Sequence, residues 1–397
     1  MTVANRVMVS RTAPGFRRPS LGEVWGFALL YLLVSGLAVW RSLPWWTPVY
    51  ANTAWWIDYG QGFVKRGLVG EVLRQWELVP DAGLIRGGSL SLTAAVWLLF
   101  TCLFWRLYRQ SGCHRGVAWL ALLFAASSAT LQHMVLDEGR LDMPALALVL
   151  LAMGAVHGLR QGALLFAVVT VLAWLALWVH EASLLLFIPP LLSWWVYRHG
   201  RAGWGWYGAF VACMALNMAL LLGFGARDGG LLEQDFARQQ ALAGGWLVRE
   251  SFAVVYAGSW QQNWAWVLER VMARDQLLAH LVLAVFCIVP YGWLGGLWLR
   301  QLHRTGQARL LWMCVPALAA LGLYAVAIDF YRWWAWAVFN LHGLTLLLCL
   351  CDRRACASLC QVLRTQGWAV AWLVLGSLYL GGLGWDVAYP LADLSWP

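Results

Sequence analysis

The stretch IDYGQGFVKRGLVGEVLRQW, Ile57 to Trp76, is the densest run of charge near the start of a chain that is otherwise mostly apolar. Apolar segments flank this stretch on both sides, and four glycines interrupt it. Its charged residues are Asp58, Lys65, Arg66, Glu71 and Arg74. Charge is costly inside a bilayer, so the stretch predicts an extramembrane segment that joins two spanning helices.

The composition around this stretch is that of a membrane protein. Of the 397 residues, 61% are hydrophobic and only 12% are charged, too few to cover a soluble globule of this size. Thirty Trp and twelve Tyr fit a chain with many membrane-water boundaries. The net charge of +9 is spread through short loops rather than gathered with aromatic residues in one patch, which argues against a nucleic-acid partner.

These features predict an all-α, polytopic membrane protein with one transmembrane domain over residues 1–397. A spanning helix needs about 20 mostly apolar residues. By that measure about eleven spans are predicted, at 22–41, 89–108, 116–136, 143–159, 163–179, 182–197, 204–224, 276–299, 310–328, 333–351 and 367–385. One set of connecting segments holds most of the arginines and only Glu23 and Asp352 as acids, which predicts an N-in, C-out protein of the inner membrane.

Two of the predicted outer segments, 42–88 and 225–275, are long enough to contain amphipathic helices in the membrane interface. A helix predicted from about Phe63 in the first segment has one apolar face, made of Val64, Leu68, Val69, Val72, Leu73 and Trp76. Lys65 projects from the middle of that face and Arg66 from its edge. Two readings stay open: Lys65 reaches the lipid headgroups, or it reaches a phosphate held between this helix and the spans.

Four predicted outer loops carry mixed acidic and basic residues at the ends of spans. The first holds Asp58 with Lys65 and Arg66, and the others hold Asp137, Glu138, Arg140 and Asp142, then His180 and Glu181, then Asp329 and Arg332. Each group alone is consistent with a helix that ends in water. Together on one side of the membrane they predict a polar cavity, because such charges need partners or water.

The residue types in these loops suit transfer from a lipid phosphate to a hydroxyl acceptor. A carboxylate serves as general base for the hydroxyl, and cations stabilise the leaving phosphate. The candidate bases are Asp58, Asp137 and Glu138, and the candidate phosphate-binding cations are Lys65, Arg66, Arg140 and Arg332. His180 reads either as a second base or a hydrogen-bond donor to the phosphate, or with Glu181 as a boundary pair. Glu181 and Asp329 are further candidates for substrate binding.

The order of these features resembles the GT-C superfamily of polyprenyl-phosphate-dependent membrane glycosyltransferases. The resemblance covers about residues 20–200 and rests on the long first outer loop with Asp58, the Asp137-Glu138 pair, and the segments GRLDMPALAL and HEASLLLFIPPLL. It implies that Asp58 acts as base and that Asp137 or Glu138 assists or binds a divalent metal such as Mg²⁺ or Mn²⁺. The chain departs from the family in having a single acid at position 58 and no large C-terminal extracytoplasmic domain.

The function expected from these features is transfer of a sugar from a polyprenyl-phosphate-linked donor to a glycan or lipid acceptor on the extracytoplasmic face. The lipid-linked sugar, the acceptor and membrane lipids are the expected partners. An O-antigen-type polymerase that relies on Arg and His is the close alternative. A transporter or flippase, expected to show repeated halves and a midplane charge site, and a non-catalytic assembly subunit are alternatives of other classes.

Overall fold

A computed structural model describes residues 19–44, 48–225, 229–256, 264–265, 268–269, 289–325, 327 and 329–383. Within those ranges every regular element is a helix. The α-helices are α1 Leu21–Ser42, α2 Val49–Thr53, α3 Leu68–Gln75, α4 Ala82–Ser111, α5 His114–Ala126, α6 Leu131–Leu136, α7 Asp142–Gly158, α8 Ala163–Val179, α9 Ser183–Leu186, α10 Ile188–His199, α11 Trp204–Phe224, α12 Gly229–Leu242, α13 Arg249–Tyr256, α14 Val289–Arg304, α15 Phe330–Cys351, α16 Arg353–Thr365 and α17 Gly367–Leu380. The longer 3₁₀ segments are Ala308–Met313 and Val315–Ala325.

Five of the described segments are long and apolar enough to cross a membrane. They are Leu21–Ser42, Ala82–Ser111, His114–Leu136, Trp204–Phe224 and Phe330–Cys351. Shorter apolar helices occupy Asp142–Gly158, Ala163–Val179, Val315–Ala325 and Gly367–Leu380. The chain is therefore an α-helical membrane protein, as its composition predicts.

Three of the predicted spans are interrupted or not α-helical. The segment predicted at 116–136 breaks at 127–130, between α5 and α6, and the one at 182–197 breaks at Phe187. The break at Phe187 precedes Pro189 and Pro190, whose missing amide hydrogens suit the first turn of a new helix. Within the segment at 310–328 the described helical elements are 3₁₀ rather than α-helical, ending at Ala325. Of the segment at 276–299 only residues 289–299 are described.

Of the five span-length segments, the two most enclosed are His114–Leu136, which contains α5, and α15, and both lie largely in the main apolar core. Phe124 of α5 stacks on Phe100 of α4 with ring centroids 4.4 Å apart, and Phe339 of α15 lies 5.3 Å from the same Phe100 ring. Gly116 allows α5 to approach α16 closely, because a β-carbon at this position would lie 2.4 Å from Cβ of Cys360. This packing fixes the ends of α6, α7 and α15, which carry much of the charge described below.

The amphipathic helix of the first outer segment begins at Leu68, not near Phe63 as predicted from the helical wheel. Residues 60–67 form turns, and Arg66 adopts a left-handed backbone with φ of 61° that no α-helix contains. Lys65 and Arg66 therefore precede the helix and do not project from its apolar face. Leu68, Val69 and Leu73 pack against the core, whereas Trp76 is exposed.

The described parts of the two long segments predicted at 42–88 and 225–275 pack against each other; residues 226–228, 257–263, 266–267 and 270–275 of the second lie outside the described residues. Trp56, Ile57 and Val64 of the first segment share an apolar cluster with residues of α12 and α13, among them Leu232 and Phe252. Hydrogen bonds reinforce this contact: the Val248 amide donates to the Thr53 hydroxyl at 3.1 Å, and the Ser251 hydroxyl donates to the Tyr50 carbonyl at 3.1 Å. The two segments form a layer over one end of the helix bundle. We call that end the cluster face, after the cluster of charged side chains described below.

Candidate functional site

Four separated parts of the chain meet at the cluster face, and the first contact joins the turn before α3 to the turn after α8. The guanidinium of Arg66 donates to both carboxylate oxygens of Glu181, with N–O distances of 2.5 to 3.1 Å. This two-pronged geometry is the strongest form of a side-chain ion pair. It holds the first outer segment against the bundle.

Asp142, the first residue of α7, lies at the centre of the site and is only 1% exposed. Its Oδ2 lies 3.2 Å from Nε of Arg332 and accepts a hydrogen bond of 3.1 Å from Trp336. Its Oδ1 faces Nε2 of His180 at 3.7 Å. Asp142 therefore links the start of α15 to the turn after α8.

A second set of contacts continues from Arg332 toward α6. Asp329 lies between two guanidinium groups, with Oδ2 at 2.9 Å from Arg332 and 3.3 Å from Arg140. Arg140 also donates to Asp137 at 3.2 Å, and the other oxygen of Asp137 lies 3.9 Å from Nε2 of His133. The chain of contacts therefore extends from Arg66 to His133.

We call this set of side chains the charge cluster. Its members are Lys65, Arg66, His133, Asp137, Arg140, Asp142, His180, Glu181, Asp329 and Arg332. Lys65 contributes only through the electrostatic effect of its charge on Glu181 and Arg66. With both histidines neutral the charge cluster has four cations and four carboxylates, so its members balance in charge.

One part of the charge cluster is buried, and the other part, which we call its front, is partly exposed. His133, Asp142, His180 and Arg332 are buried, whereas the side chains of Arg66, Asp137, Arg140, Glu181 and Asp329 keep 16 to 26% of their surface accessible. Four polar atoms here have no hydrogen-bond partner in the described part of the chain: His133 Nε2, Asp137 Oδ2, Asp142 Oδ1 and Arg332 Nε. These four atoms are buried, and each faces another member of the charge cluster at 3.2 to 3.9 Å, so longer electrostatic contacts stand where hydrogen bonds are normally found.

Burial and neighbouring charges set the protonation of the turn after α8. Burial lowers the pKa of His180 to about 4, and Arg66 acts in the same direction, so the imidazole is neutral near pH 7. Burial alone would raise the pKa of Glu181, but Arg66 outweighs it and holds that pKa well below its usual range. The Ala182 amide donates to Nδ1 of His180 at 3.1 Å, which leaves Nε2 to carry the hydrogen toward Asp142.

Lys65 is buried next to the Arg66–Glu181 pair. Its side chain is 9% exposed, and burial lowers its pKa. Its backbone amide donates to the carbonyl of Gly225 at 3.2 Å, and a β-carbon on Gly225 would lie 2.6 Å from Cγ of Lys65. The end of α11 therefore fixes the position of Lys65 beneath the outer layer.

The turn that carries Asp137 and Arg140 is fixed by Gly139. Gly139 has φ of 82°, and a β-carbon at this position would lie 2.0 Å from Oδ1 of Asn52, so only glycine fits. Its carbonyl accepts a hydrogen bond of 2.5 Å from Trp55, and its amide donates to Ser89 at 3.0 Å. The first outer segment and α4 thereby hold this turn in place.

Asp58 does not contact the charge cluster among the described residues. Its Oδ1 accepts hydrogen bonds from the Gly60 amide at 2.8 Å and from Arg238 at 2.9 Å, and its Oδ2 accepts one from Gln239 at 2.9 Å. Asp58 is 6% exposed. It joins the first outer segment to α12.

Glu138 also lies outside the contacts of the charge cluster. It is 2% exposed, its Oε2 lies 3.4 Å from Nε of Arg86, and burial raises its pKa. Of the three predicted acids, only Asp137 combines membership of the charge cluster, partial exposure and an oxygen without a hydrogen-bond partner among the described residues.

The contacts in and around the charge cluster involve residues to which the sequence assigns no role. His133 lies within a predicted span, and Trp336 is one of thirty tryptophans, so neither gives a local signal. Asp142 stands in the predicted charged loop, where its position at the start of a helix is the available signal. The contact of Arg238 with Asp58 joins positions 180 residues apart, and local sequence gives no information about it.

The described residues do not fit a metal centre. No group of three or more His, Cys, Asp or Glu side chains in the described ranges is arranged to hold a metal ion. The carboxylates of the charge cluster are instead engaged by arginines. We therefore assign no step to Mg²⁺ or Mn²⁺.

Comparisons of the chain with protein-family models, curated proteins and solved structures found no match. Fold and site together define an α-helical membrane protein with a charge cluster at one end of its helix bundle.

Proposed function

We propose that the protein is a membrane glycosyltransferase of the GT-C type. It transfers a sugar from a polyprenyl-phosphate-linked donor to a glycan or lipid acceptor at the extracytoplasmic face. The observation that carries this proposal is the charge cluster, which combines four cations with the partly exposed carboxylate of Asp137. A lipid phosphate needs cations at the membrane boundary, and a hydroxyl acceptor needs a base beside them.

We assign the donor phosphate to three arginines of the charge cluster, two at its partly exposed front and Arg332 in its buried part. Arg66, Arg140 and Arg332 present guanidinium groups from three chain segments, and guanidinium matches phosphate geometry with paired hydrogen bonds. Lys65, buried next to the Arg66–Glu181 pair, adds positive charge. The Trp333 ring, 4.4 Å from the guanidinium carbon of Arg332, holds that side chain in position.

The acceptor base in this proposal is Asp137. Its Oδ1 is held by Arg140, its Oδ2 is a buried atom without a hydrogen-bond partner among the described residues and lies 3.9 Å from Nε2 of His133, and 16% of its side chain is exposed. A base needs a fixed orientation and a side chain that the acceptor can reach, and Asp137 offers both. The resemblance to GT-C enzymes favours Asp58 for this role, but both oxygens of Asp58 already accept hydrogen bonds.

The test is accumulation of the lipid-linked donor in cells. A strain that lacks the protein is complemented with the natural chain, Asp137→Asn or Asp58→Asn, and polyprenyl-phosphate sugars are extracted and measured by mass spectrometry. Asp137→Asn is expected to lower transfer by about 10²- to 10⁴-fold, the usual contribution of a general base. Asp58→Asn is expected to retain transfer, at a lower protein level.

Asp81→Asn is the matched control. Asp81 caps α4 through a 2.7 Å hydrogen bond to the Leu84 amide, and asparagine preserves that cap. Activity of the Asp137→Asn protein would show that Asp137 is not the base. Loss of activity in an Asp58→Asn protein of normal abundance would indicate that Asp58 is the base. A deletion strain that accumulates no lipid-linked sugar would reject the transferase proposal.

A polymerase that uses Arg and His is the second candidate, and His180 is the observation that favours it. His180 is neutral, its Nε2 lies 3.7 Å from Asp142, and the Arg66–Glu181 pair adjoins it. In a polymerase His180→Gln abolishes chain extension while Asp137→Asn leaves it intact. The transferase proposal expects the opposite order of effects.

We propose the N-in, C-out arrangement with about eleven spans for this protein. The turns at the end opposite the charge cluster, where α4, α10 and α16 begin or end, carry Arg109, Arg198, Arg201, Arg353 and Arg354. The positive-inside rule assigns that end to the cytoplasm. The charge cluster then belongs to the extracytoplasmic face.

A further inference from the structure

An apolar groove of about 240 Å³ lies between α4, α7, α10 and α15. It lies between the charge cluster and the opposite end of the bundle. Its walls are almost wholly hydrocarbon, and include Leu99, Phe100, Leu146, Val149, Phe187 and Leu347. Leu99 and Gly154 on its rim are exposed, so the groove opens toward the lipid. A cavity of this composition suits an aliphatic chain.

Trp336 separates the groove from the charge cluster. The indole packs edge-on against Phe187 and Phe339, with ring centroids 5.0 and 5.4 Å away, and both of these rings line the groove. On its other side the indole donates to Asp142 at 3.1 Å. The groove is therefore a second site, distinct from the one assigned to the sugar donor.

Two arginines lie at the end of the groove that is farther from the charge cluster. Arg106 lines it there, and the guanidinium of Arg198 lies 5.7 Å from the ring of Trp194 and 3.4 Å from the carbonyl of His157, two further lining residues. Arg106 and Arg198 are exposed, and Arg109 follows Arg106 on α4. No carboxylate lies within 4 Å of these guanidinium groups in the described part of the chain.

The length of the groove matches one leaflet of a bilayer. On α15 it runs from Phe339 to Cys351, which spans about 18 Å at the rise of an α-helix. Half of a hydrocarbon core is about 15 Å. A chain that lies along the groove therefore carries its headgroup to the level of Arg106 and Arg198.

We propose that this groove binds an anionic glycerophospholipid from the leaflet opposite the charge cluster. One acyl chain fills the groove, and the phosphate pairs with Arg106 and Arg198. An anionic headgroup complements these guanidinium groups, which have no carboxylate within 4 Å among the described residues.

The test uses the full-length protein purified in detergent and stripped of lipid, with bound lipids counted by native mass spectrometry. Palmitoyl-oleoyl phosphatidylglycerol is the probe, and phosphatidylcholine with the same chains is the reference. One bound phosphatidylglycerol per chain is expected at concentrations where phosphatidylcholine does not bind. The combination of Arg106→Gln with Arg198→Gln is expected to weaken its binding about tenfold or more.

Gly154→Leu blocks the groove itself. A β-carbon on Gly154 meets nothing within 4 Å, and leucine favours helix over glycine, so this variant fills the groove without disturbing α7. Gly36→Leu on α1 is the matched control, because Gly36 is equally open and lies outside the groove. Gly154→Leu is expected to abolish phosphatidylglycerol binding, and Gly36→Leu to retain it.

Arg115→Gln serves as the charge control, since Arg115 is exposed and does not line the groove. Equal binding of the two phospholipids, unchanged binding to Gly154→Leu, or equal loss in Arg115→Gln would overturn the proposal. Polyprenyl phosphate that displaces phosphatidylglycerol stoichiometrically would also overturn it, because the groove would then belong to the donor.

Discussion

Arg66 combines two features that are rarely found together. Its backbone is left-handed with φ of 61°, which for a residue with a β-carbon costs about 1–2 kcal/mol, and its side chain makes a two-pronged ion pair with Glu181. Glycine would satisfy the backbone but would remove the ion-pair partner of Glu181. The site therefore holds Arg66 for its side chain at the expense of backbone strain, a pattern typical of functional sites.

The protonation of His180 predicts how stability depends on pH. Its pKa is about 4 in the folded protein and 6.5 when exposed, so the unfolded chain binds more protons between these values. Stability is therefore present above about pH 6.5 and is lost as the pH falls toward 4. The groups that act on His180 are Arg66, Asp142, Glu181 and Arg332.

His180→Gln is expected to reduce the fall in melting temperature between pH 6.5 and 4, measured on the purified protein in detergent. Each pKa unit corresponds to about 1.4 kcal/mol, so the effect of His180 is a few kcal/mol at most. The exposed His303→Gln is the control, with an unchanged pH profile. Identical profiles for the natural chain and His180→Gln would contradict the assignment of a neutral buried imidazole.

At the scale of elements, α3 positions the basic turn through one glycine. A β-carbon on Gly70 would lie 2.2 Å from the carbonyl oxygen of Ile57 and 2.8 Å from that of Trp55. The helix therefore packs directly on the backbone of the segment before it. This contact fixes where the turn with Lys65 and Arg66 begins.

Gly70→Ala is expected to displace α3, to lower the melting temperature and to reduce the proposed transfer. The added methyl group would meet backbone atoms of residues 55–57, and backbone atoms move aside less easily than a side chain. The cost is of the order of 1–3 kcal/mol, the usual range for overpacking. Gly87→Ala on α4 is the control, because a β-carbon there meets nothing within 4 Å. A Gly70→Ala protein with natural stability and activity would show that the close approach has no role.

The sequence predicts the bounds of some helices correctly and those of others incorrectly, for physical reasons. The ends of α8 and α11 follow from apolar length alone, since α8 at Ala163–Val179 and α11 at Trp204–Phe224 match the predicted spans. The start of α3 does not, because a helical wheel assumes helical backbone and Arg66 departs from it. The loop charges gather because they need partners, but which acid meets which base depends on tertiary packing, as with Asp58 and Arg238.

At the scale of the whole molecule, the two ends of the bundle differ in chemistry. One end holds the charge cluster beneath an outer layer, and the other carries exposed arginines. The proposed orientation makes these ends extracytoplasmic and cytoplasmic, respectively.

Protease-cleavable tags inserted in two exposed turns test this orientation. A tag after Leu78, between α3 and α4, is expected to be cleaved in right-side-out vesicles, and a tag after Thr305, after α14, only in inverted ones. Activity of the tagged proteins shows that the insertions preserve the fold. Cleavage of both tags from the same side, or the reverse order, would overturn the orientation.

The balance of charge within the cluster has a thermodynamic consequence for the proposed reaction. A phosphate that reaches Arg66 or Arg140 finds a guanidinium whose Nε and one Nη already donate to carboxylates, so it meets the remaining N–H groups and competes with those carboxylates for the charge. A carboxylate whose ion pair is weakened in this way takes a proton more readily. Departure of the product restores the internal pair, so occupancy of the site and the protonation of its acids rise and fall together.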